Sequence, residues 1–287
     1  MNIFSYRPAE IQISFLGYPN TLGVEYFDYV IADQTVLPAK NLEFFSEKPI
    51  YMPNSYQPNQ DLRPIENTIT TKSDHGLPDG SFVFCSFNNI QKITPPIFST
   101  WLTLLRTIPN SILWLLADHP HMQQQIISYA SEHNISADRI VFAKRITNDA
   151  HLERHRHADL ILDTLPYNAH TCASDALRMG VPVVTCMGDS FQARVAASLL
   201  KTVGLNELIT TNLESYTKLA CKLATDQMFY KSIRNKLNIN ITTCALFNPK
   251  LFSEHLEIAY EQVLECKKYG KPPEPILVKK YLEQTVL

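Results

Sequence analysis

A chain of 287 residues is long enough for about two domains, each with its own core. Hydrophobic residues at 45% against 19% charged exclude a disordered chain. With 26 Lys+Arg against 28 Asp+Glu, the formal charge of -2 supplies no broad positive field for holding nucleic acid.

In chain order, IQISFLG (11–17), YFDYVIAD (26–33) and KPIYMP (48–53) predict three strands, with a helix after Pro38. So small a parallel set has little to cover its faces, and residues 1–53 read as the closing part of a larger domain. Residues 54–80, NSYQPNQDLRPIENTITTKSDHGLPDG, are rich in Pro, Asn, Asp and Thr, lack periodicity, and read as an inter-domain linker. Beyond them, short β-branched and aromatic runs at 81–87, 111–117, 139–143, 160–164, 182–186 and 208–210 alternate with segments of helical period. Those segments lie at 95–107, 122–133, 148–156, near 171–179, near 191–203, and at 213–226, 228–241 and 249–269. Strands apolar along their whole length and separated by helices predict a parallel sheet buried on both faces, so 81–287 is expected to be a doubly wound α/β domain.

The opening MNIFSYRPAEIQISFLGYPN lacks the basic start and apolar run of a leader, and no stretch approaches the roughly 18 apolar residues of a membrane span. The six cysteines, Cys85, Cys172, Cys186, Cys221, Cys244 and Cys266, are scattered without a Cys-x-x-Cys pair, which fits small buried hydrophobes in a reducing cytoplasm. Trp101, Leu104, Leu105 and Trp114 are expected in the core, and His119 and His121 in a solvated turn.

Neither a G-x-G-x-x-G nor a G-x-x-x-x-G-K-[ST] is present, there is no Asp-x-Asp pair to hold a divalent ion on a diphosphate, and Gln192 breaks the nucleophile-elbow pattern of Gly188-Asp189-Ser190-Phe191-Gln192. Any phosphate bound here would fall to helix N-termini and cationic side chains. Three loops following predicted strands could supply them. Tyr167 to Asp175 opens a helix after strand 160–164, where free N–H groups attract an anion; the other reading is that Thr171 or Ser174 simply caps the helix. His151 and Arg154, three apart, share a helix face and could reach a diphosphate or base, while His151 with His155 could form half a metal site, and a solvated polar face is the plain alternative. Asn89 and Lys92, in FNNIQK after the first strand of this domain, place an amide and a cation at a third strand end, unless Lys92 is only a surface charge. In a parallel sheet all three loops open on one edge.

The blocks RPAEIQISFLGYPNTLGVEYFDYVIAD, FFSEKPIYMPNSYQPN, LPDGSFVFCSFNNIQKITP and ADLILDTLPYNAHTCASDALRMGVPVVTCMGDSFQARVAASLL closely resemble, in order, the protein O-linked N-acetylglucosamine transferases, the SPINDLY-like family 41 glycosyltransferases. Direct passage from the first lobe to the second resembles the bacterial branch. The resemblance implies a GT-B architecture of two Rossmann-like lobes with a UDP-sugar between them, and transfer of N-acetylglucosamine to Ser or Thr hydroxyls of proteins by inverting displacement without a metal or other cofactor. It implies that Leu16 and Gly17 lie beside the sugar and diphosphate, that Lys92 neutralises the leaving diphosphate with Asn89 nearby, and that His151 and Arg154 surround the uridine and its phosphates. It further implies that His170, Thr171 and Asp175 hold phosphate and ribose, with Cys172 replacing a second threonine. Asn148 stands where the family has a further lysine, and the family's N-lobe Asp-Phe-x-x-His-Pro motif does not occur in these residues. The expected partners are therefore UDP-N-acetylglucosamine, a protein acceptor, and a separate N-terminal lobe or tetratricopeptide-repeat polypeptide. Two other readings follow: a UDP-binding module without catalysis, and a hexosyltransferase acting on Asn.

Overall fold

The computed structural model describes residues 2–62, 64 and 69–279; the expected linker at 63 and 65–68 and the end of the expected second lobe at 280–287 lie outside the described residues. A short helix α1 (Asn2–Ser5) precedes β1 (Ile13–Ser14), β2 (Tyr29–Ala32) and β3 (Lys48–Tyr51), which pair in parallel in that order. β1 is far shorter than the run 11–17 suggested: Leu16 turns out of the strand at φ 62, and the Gly17 N–H folds back onto the Phe15 carbonyl at 2.7 Å. The helix expected after Pro38 is a 3-10 turn, Ala39–Phe44.

The second sheet contains β4 (Phe82–Ser86), β5 (Ser111–Leu116), β6 (Ile140–Ala143), β7 (Leu160–Leu162), β8 (Val183–Cys186) and β9 (Ile209–Thr210), all parallel, in the order β6-β5-β4-β7-β8-β9. The joining helices are α2 (Pro95–Thr107), α3 (Pro120–Glu132), α4 (Asn148–Arg154), α5 (Thr171–Arg178) and α6 (Val195–Thr202), followed by α7 (Leu213–Thr225), α8 (Gln227–Asn240) and α9 (Pro249–Lys268). α2 starts on two prolines, whose missing N–H groups cost nothing in a first turn, and buries Ile97, Phe98, Trp101, Leu102, Leu104 and Leu105 on one stripe. Trp101, Leu104 and Leu105 are fully enclosed and Trp114 nearly so, whereas only Cys85 and Cys186 of the six thiols are buried; the other four are half-buried, because Cys172, Cys221 and Cys266 sit on helix flanks and Cys244 in the bend after α8 rather than in strands. The chain runs outward from β4 to β6, then returns to β7 on the other side of β4. That reversal opens a crevice at the carboxyl ends of β4 and β7.

α9 leads back to the first sheet, where β10 (Ile276–Leu277) pairs in parallel with β3. The second lobe expected over 81–287 thus gives its last described strand to the first. Ala259 and Val263 of α9 share a core with Tyr29, Ile31 and Ile50. That fourth strand and helix cover faces that three short strands leave bare.

Asp33, just past β2, joins the lobes. Its Oδ1 accepts the N–H groups of Thr35 (2.8 Å) and Val36 (3.0 Å), and its Oδ2 those of Tyr56 N (3.0 Å) and the Ser198 hydroxyl on α6 (2.6 Å). Burial pushes its carboxyl upward, and these four donors oppose the push. Arg194 adds a second clasp, donating to the Thr35 carbonyl at 2.6 Å and the Gly188 carbonyl at 2.8 Å. Ser198→Ala is expected to cost about 1–3 kcal/mol in urea unfolding, since the buried carboxyl is left with one donor fewer; an unchanged midpoint would show that this bond does not hold the lobes.

Candidate functional site

The polypeptide after β7 is held from within. Asp163 is buried, its Oδ1 accepting from Thr164 N (2.7 Å) and Ala169 N (2.5 Å) and its Oδ2 from the Thr185 hydroxyl (2.6 Å). Burial pushes its carboxyl up to about 7 against those three donors and the nearby Lys92. The Thr164 hydroxyl donates to the Tyr167 carbonyl at 2.6 Å and Asn168 Nδ2 to the Thr164 carbonyl at 2.8 Å, closing the loop on itself. The loop delivers His170 as N-cap of α5, but its side chain makes no capping bond. Nor do the two residues expected as caps: the Ser174 hydroxyl donates to the Thr171 carbonyl at 2.9 Å, and Thr171 is exposed. The first N–H groups of α5 are therefore left to water or a ligand, at the positive end of the helix dipole.

Lys92 crosses to this loop from the carboxyl end of β4. Its Nζ donates to the Asn168 carbonyl at 2.9 Å and lies 4.0 Å from the centre of the Tyr167 ring, which stacks on His170 at 5.0 Å. Burial pushes the Lys92 ammonium down, while Cys172 and Asp163 oppose it. His170 falls to about 4, first through burial and then through Lys92, so its imidazole is neutral at pH 7. Nε2 faces the Gln192 carbonyl at 3.3 Å as a donor, which leaves Nδ1 as an acceptor. The positive charge beside the helix start is therefore that of Lys92.

His151 and Arg154 are placed differently. Arg154 is 2% exposed, with its guanidinium 4.4 Å over the Phe87 ring and hydrogen bonds to the Lys144 carbonyl (2.6 Å) and to His151 Nδ1. Burial, with His155 and Arg154 next, pushes His151 down to about 3. Arg154 thus orients the His151 ring rather than reaching into open space itself. His155 is buried, and its Nδ1 donates to the His151 carbonyl at 2.8 Å. Among the described residues no group of three His, Cys, Asp or Glu side chains could hold a metal ion.

A cavity of about 300 Å³ opens along α5. Of the residues singled out in the sequence, Leu16, Asn148, His170, Thr171, Ser174 and Asp175 line it, together with Leu152 and Phe247, whereas Lys92, His151 and Arg154 stand outside its lining. Leu16 reaches it from the first lobe on a left-handed backbone, a conformation costly for a branched side chain and concentrated at functional sites. The same loop brings Asn20 to Gln192 at 3.4 Å. Gly17 and Asn89 are exposed outside the cavity lining; the Asn89 side chain accepts from Gln91 N at 3.1 Å and caps a 3-10 turn, Ile90–Lys92. Two features escaped sequence reading. One is Asp163, whose only signal is a carboxylate closing the apolar run LILD. The other is the opposite wall, Tyr56 to Gln60, which falls in the expected linker and carries no local signal.

One rim of the second sheet thus gathers a helix start, a half-buried ammonium and a neutral imidazole, facing a loop of the first lobe. The model of glycosyl transferase family 41 matches residues 1–61 and 58–256. This chain belongs to glycosyl transferase family 41. The probable UDP-N-acetylglucosamine–peptide N-acetylglucosaminyltransferase SEC of Arabidopsis thaliana is 34% identical over 279 residues, covering 95% of the family 41 chain and 28% of SEC. The UDP-N-acetylglucosamine–peptide N-acetylglucosaminyltransferase of Caenorhabditis elegans is 26% identical over 381 residues, covering 94% of this chain and 33% of its own. A mutant O-GlcNAc transferase of Thermobaculum terrenum superposes with a TM-score of 0.82 at 28% identity, over 93% of this chain and 51% of the other. The architecture is the GT-B type, and the family 41 chain spans about a third or less of the length of the curated relatives it matches. No helix among the described residues is long and apolar enough to cross a membrane.

Proposed function

We propose that this chain holds UDP-N-acetylglucosamine in the cleft along α5 and serves its transfer to Ser or Thr hydroxyls of a protein, by inverting displacement without a metal. The observation that carries the reading is Lys92, which spans the crevice between β4 and β7 to reach the Asn168 carbonyl beside the open start of α5. A diphosphate seated there would meet one ammonium and unpaired N–H groups, with neutral histidines as hydrogen-bonding partners. In the transfer step the acceptor oxygen bonds to C1 as the bond from C1 to the β-phosphate oxygen breaks, and the electron pair leaves on the diphosphate. Lys92 and the helix dipole stabilise that growing charge without reorganising. Asp175, pushed up to about 6 by burial, offers its carboxylate to the hydroxyls of the nucleoside. The names of the relatives support both donor and protein acceptor. A polypeptide carrying the N-lobe histidine and acceptor-presenting repeats would complete the enzyme, in a reducing cytoplasm that suits six free thiols. Calorimetric titration with UDP is expected to show one site per chain, lost in a His170→Ala, Thr171→Ala double variant. A wild-type chain without UDP affinity would overturn the reading, and a transfer assay beside it separates binding from turnover.

A further inference from the structure

Residues 56 to 60 join the lobes and also run along the cleft. Tyr56 is fixed first, by its N–H on Asp33 and by its ring against Phe191 at 4.9 Å, edge to face. Gln57 is then held at 8% exposure, with Nε2 donating to Asn59 Oδ1 at 3.1 Å and to the Ser174 hydroxyl oxygen at 3.4 Å. One turn further along α5, Gln60 Oε1 accepts from Arg178 at 3.1 Å. The segment is thus a strap tied to α5 at Ser174 and Arg178, with Asp175 between the ties.

Gln57 and Asp175 both line the cavity. Among the described residues, neither the Gln57 Oε1 nor the Asp175 carboxylate accepts a hydrogen bond from protein. Two acceptors without a protein donor, one on the strap and one on α5, thus open on the same cavity, and an uncharged diol has the two donors to meet both. Asp175 lies four residues into α5 from Thr171, about 6 Å along the axis at 1.5 Å per residue. That is close to the span from the α-phosphate of a nucleotide to its ribose hydroxyls.

We propose that Gln57 is a specificity-determining residue for the ribose: its Oε1 accepts a hydrogen bond from one of the two hydroxyls while Asp175 takes the other from the opposite wall. The inference rests on the reading of this cleft as a UDP site. It makes the segment between the lobes part of the nucleotide site rather than a passive tether.

The test titrates UDP and 2′,3′-dideoxy-UDP into the wild-type 287-residue chain, a Gln57→Met variant that keeps the volume, and a Gln57→Glu variant that keeps the acceptor. Wild type is expected to favour UDP by tenfold or more. Gln57→Met should lose about tenfold in UDP affinity and leave the dideoxy affinity unchanged, whereas Gln57→Glu should retain the preference despite weaker diphosphate binding overall. A role in folding alone would weaken both nucleotides together in Gln57→Met, and would overturn the proposal. Equal wild-type affinities for the two nucleotides, or a preference undiminished in Gln57→Met, also refute it while leaving the UDP site intact. Absence of UDP binding by wild type defeats the underlying reading instead.

Discussion

Lys92→Ala is expected to lower kcat for sugar transfer in the complete enzyme by about 10²–10³, or about 2.7–4 kcal/mol of transition-state stabilisation, while KM for the donor rises only a few-fold. The asymmetry follows from where the ammonium sits. Lys92 is already desolvated and aimed, with its Nζ on the Asn168 carbonyl and the Tyr167 ring. It therefore acts most strongly on charge that appears when the bond to C1 breaks. The neighbouring histidines do not share this work, because burial holds His170 at about 4 and His151 at about 3. Lys92→Arg should recover little, since a planar fork does not fit a seat shaped for one ammonium between a carbonyl and a ring. Steady-state kinetics decide the matter: a rise in KM with kcat untouched would make Lys92 a holder of the donor and nothing more.

Asp163→Ala should cost more than any other single change at this rim, about 3–5 kcal/mol, and abolish UDP binding even where the chain stays folded. Three donors, Thr164 N, Ala169 N and the Thr185 hydroxyl, would lose a buried acceptor at once, at about 1–3 kcal/mol for each one left unsatisfied. The loop they hold carries both the Asn168 carbonyl and the start of α5. Asp163→Asn keeps an acceptor for the two backbone donors and should fold. The acid's pKa is raised in the folded chain from 3.8 to about 7, so folding favours its protonated form. Its contribution is fully present below about 4 and is lost as pH climbs to about 7, at no more than ~1.4 kcal/mol per pH unit. The stability of wild type minus that of Asp163→Asn should therefore decline across this window. Urea unfolding at pH 4.5, 6 and 7.5 checks the slope, and a flat difference would mean that Asp163 stays ionised in the core.

Much of the second lobe was legible because its signals are local. FVFCS, SILWLL and LIL are apolar without alternation, so they predict strands buried on both faces, and the parallel sheet puts the loops after β4, β6 and β7 on one edge. Boundaries were less legible where a side chain competes with the backbone. β7 stops at Leu162, and the Asp163 carboxylate then takes the Thr164 N–H, so the run through 164 is no longer strand. The helix expected from 191 begins at Val195 after a 3-10 turn, Phe191–Ala193, pinned by the Gly188 N–H on the Ala193 carbonyl at 2.9 Å.

Within the cleft the division is similar. His170, Thr171 and Asp175 reach the cavity from a helix start that local pattern makes visible, and Leu16, which only the family resemblance pointed to, reaches it from the first lobe. His151 and Arg154 share a helix face as their spacing requires, yet the aromatic ring of Phe87, more than sixty positions away, draws the guanidinium inward. No spacing rule foresees that choice between water and a buried ring.

The order of strands and helices, the doubly wound sheet with its rim of loops, and the family are all written in local pattern, because periodicity and motif spacing act over a few residues to a few turns. Tertiary structure alone decided the clasp from Asp33 to Ser198, 165 residues apart, the tie from Gln57 to Ser174 across 117, and the return of β10 to β3. Such partners meet only when the lobes have packed. The drive to bury two sheets and satisfy the carboxylates and amides trapped between them selects contacts that no local pattern encodes.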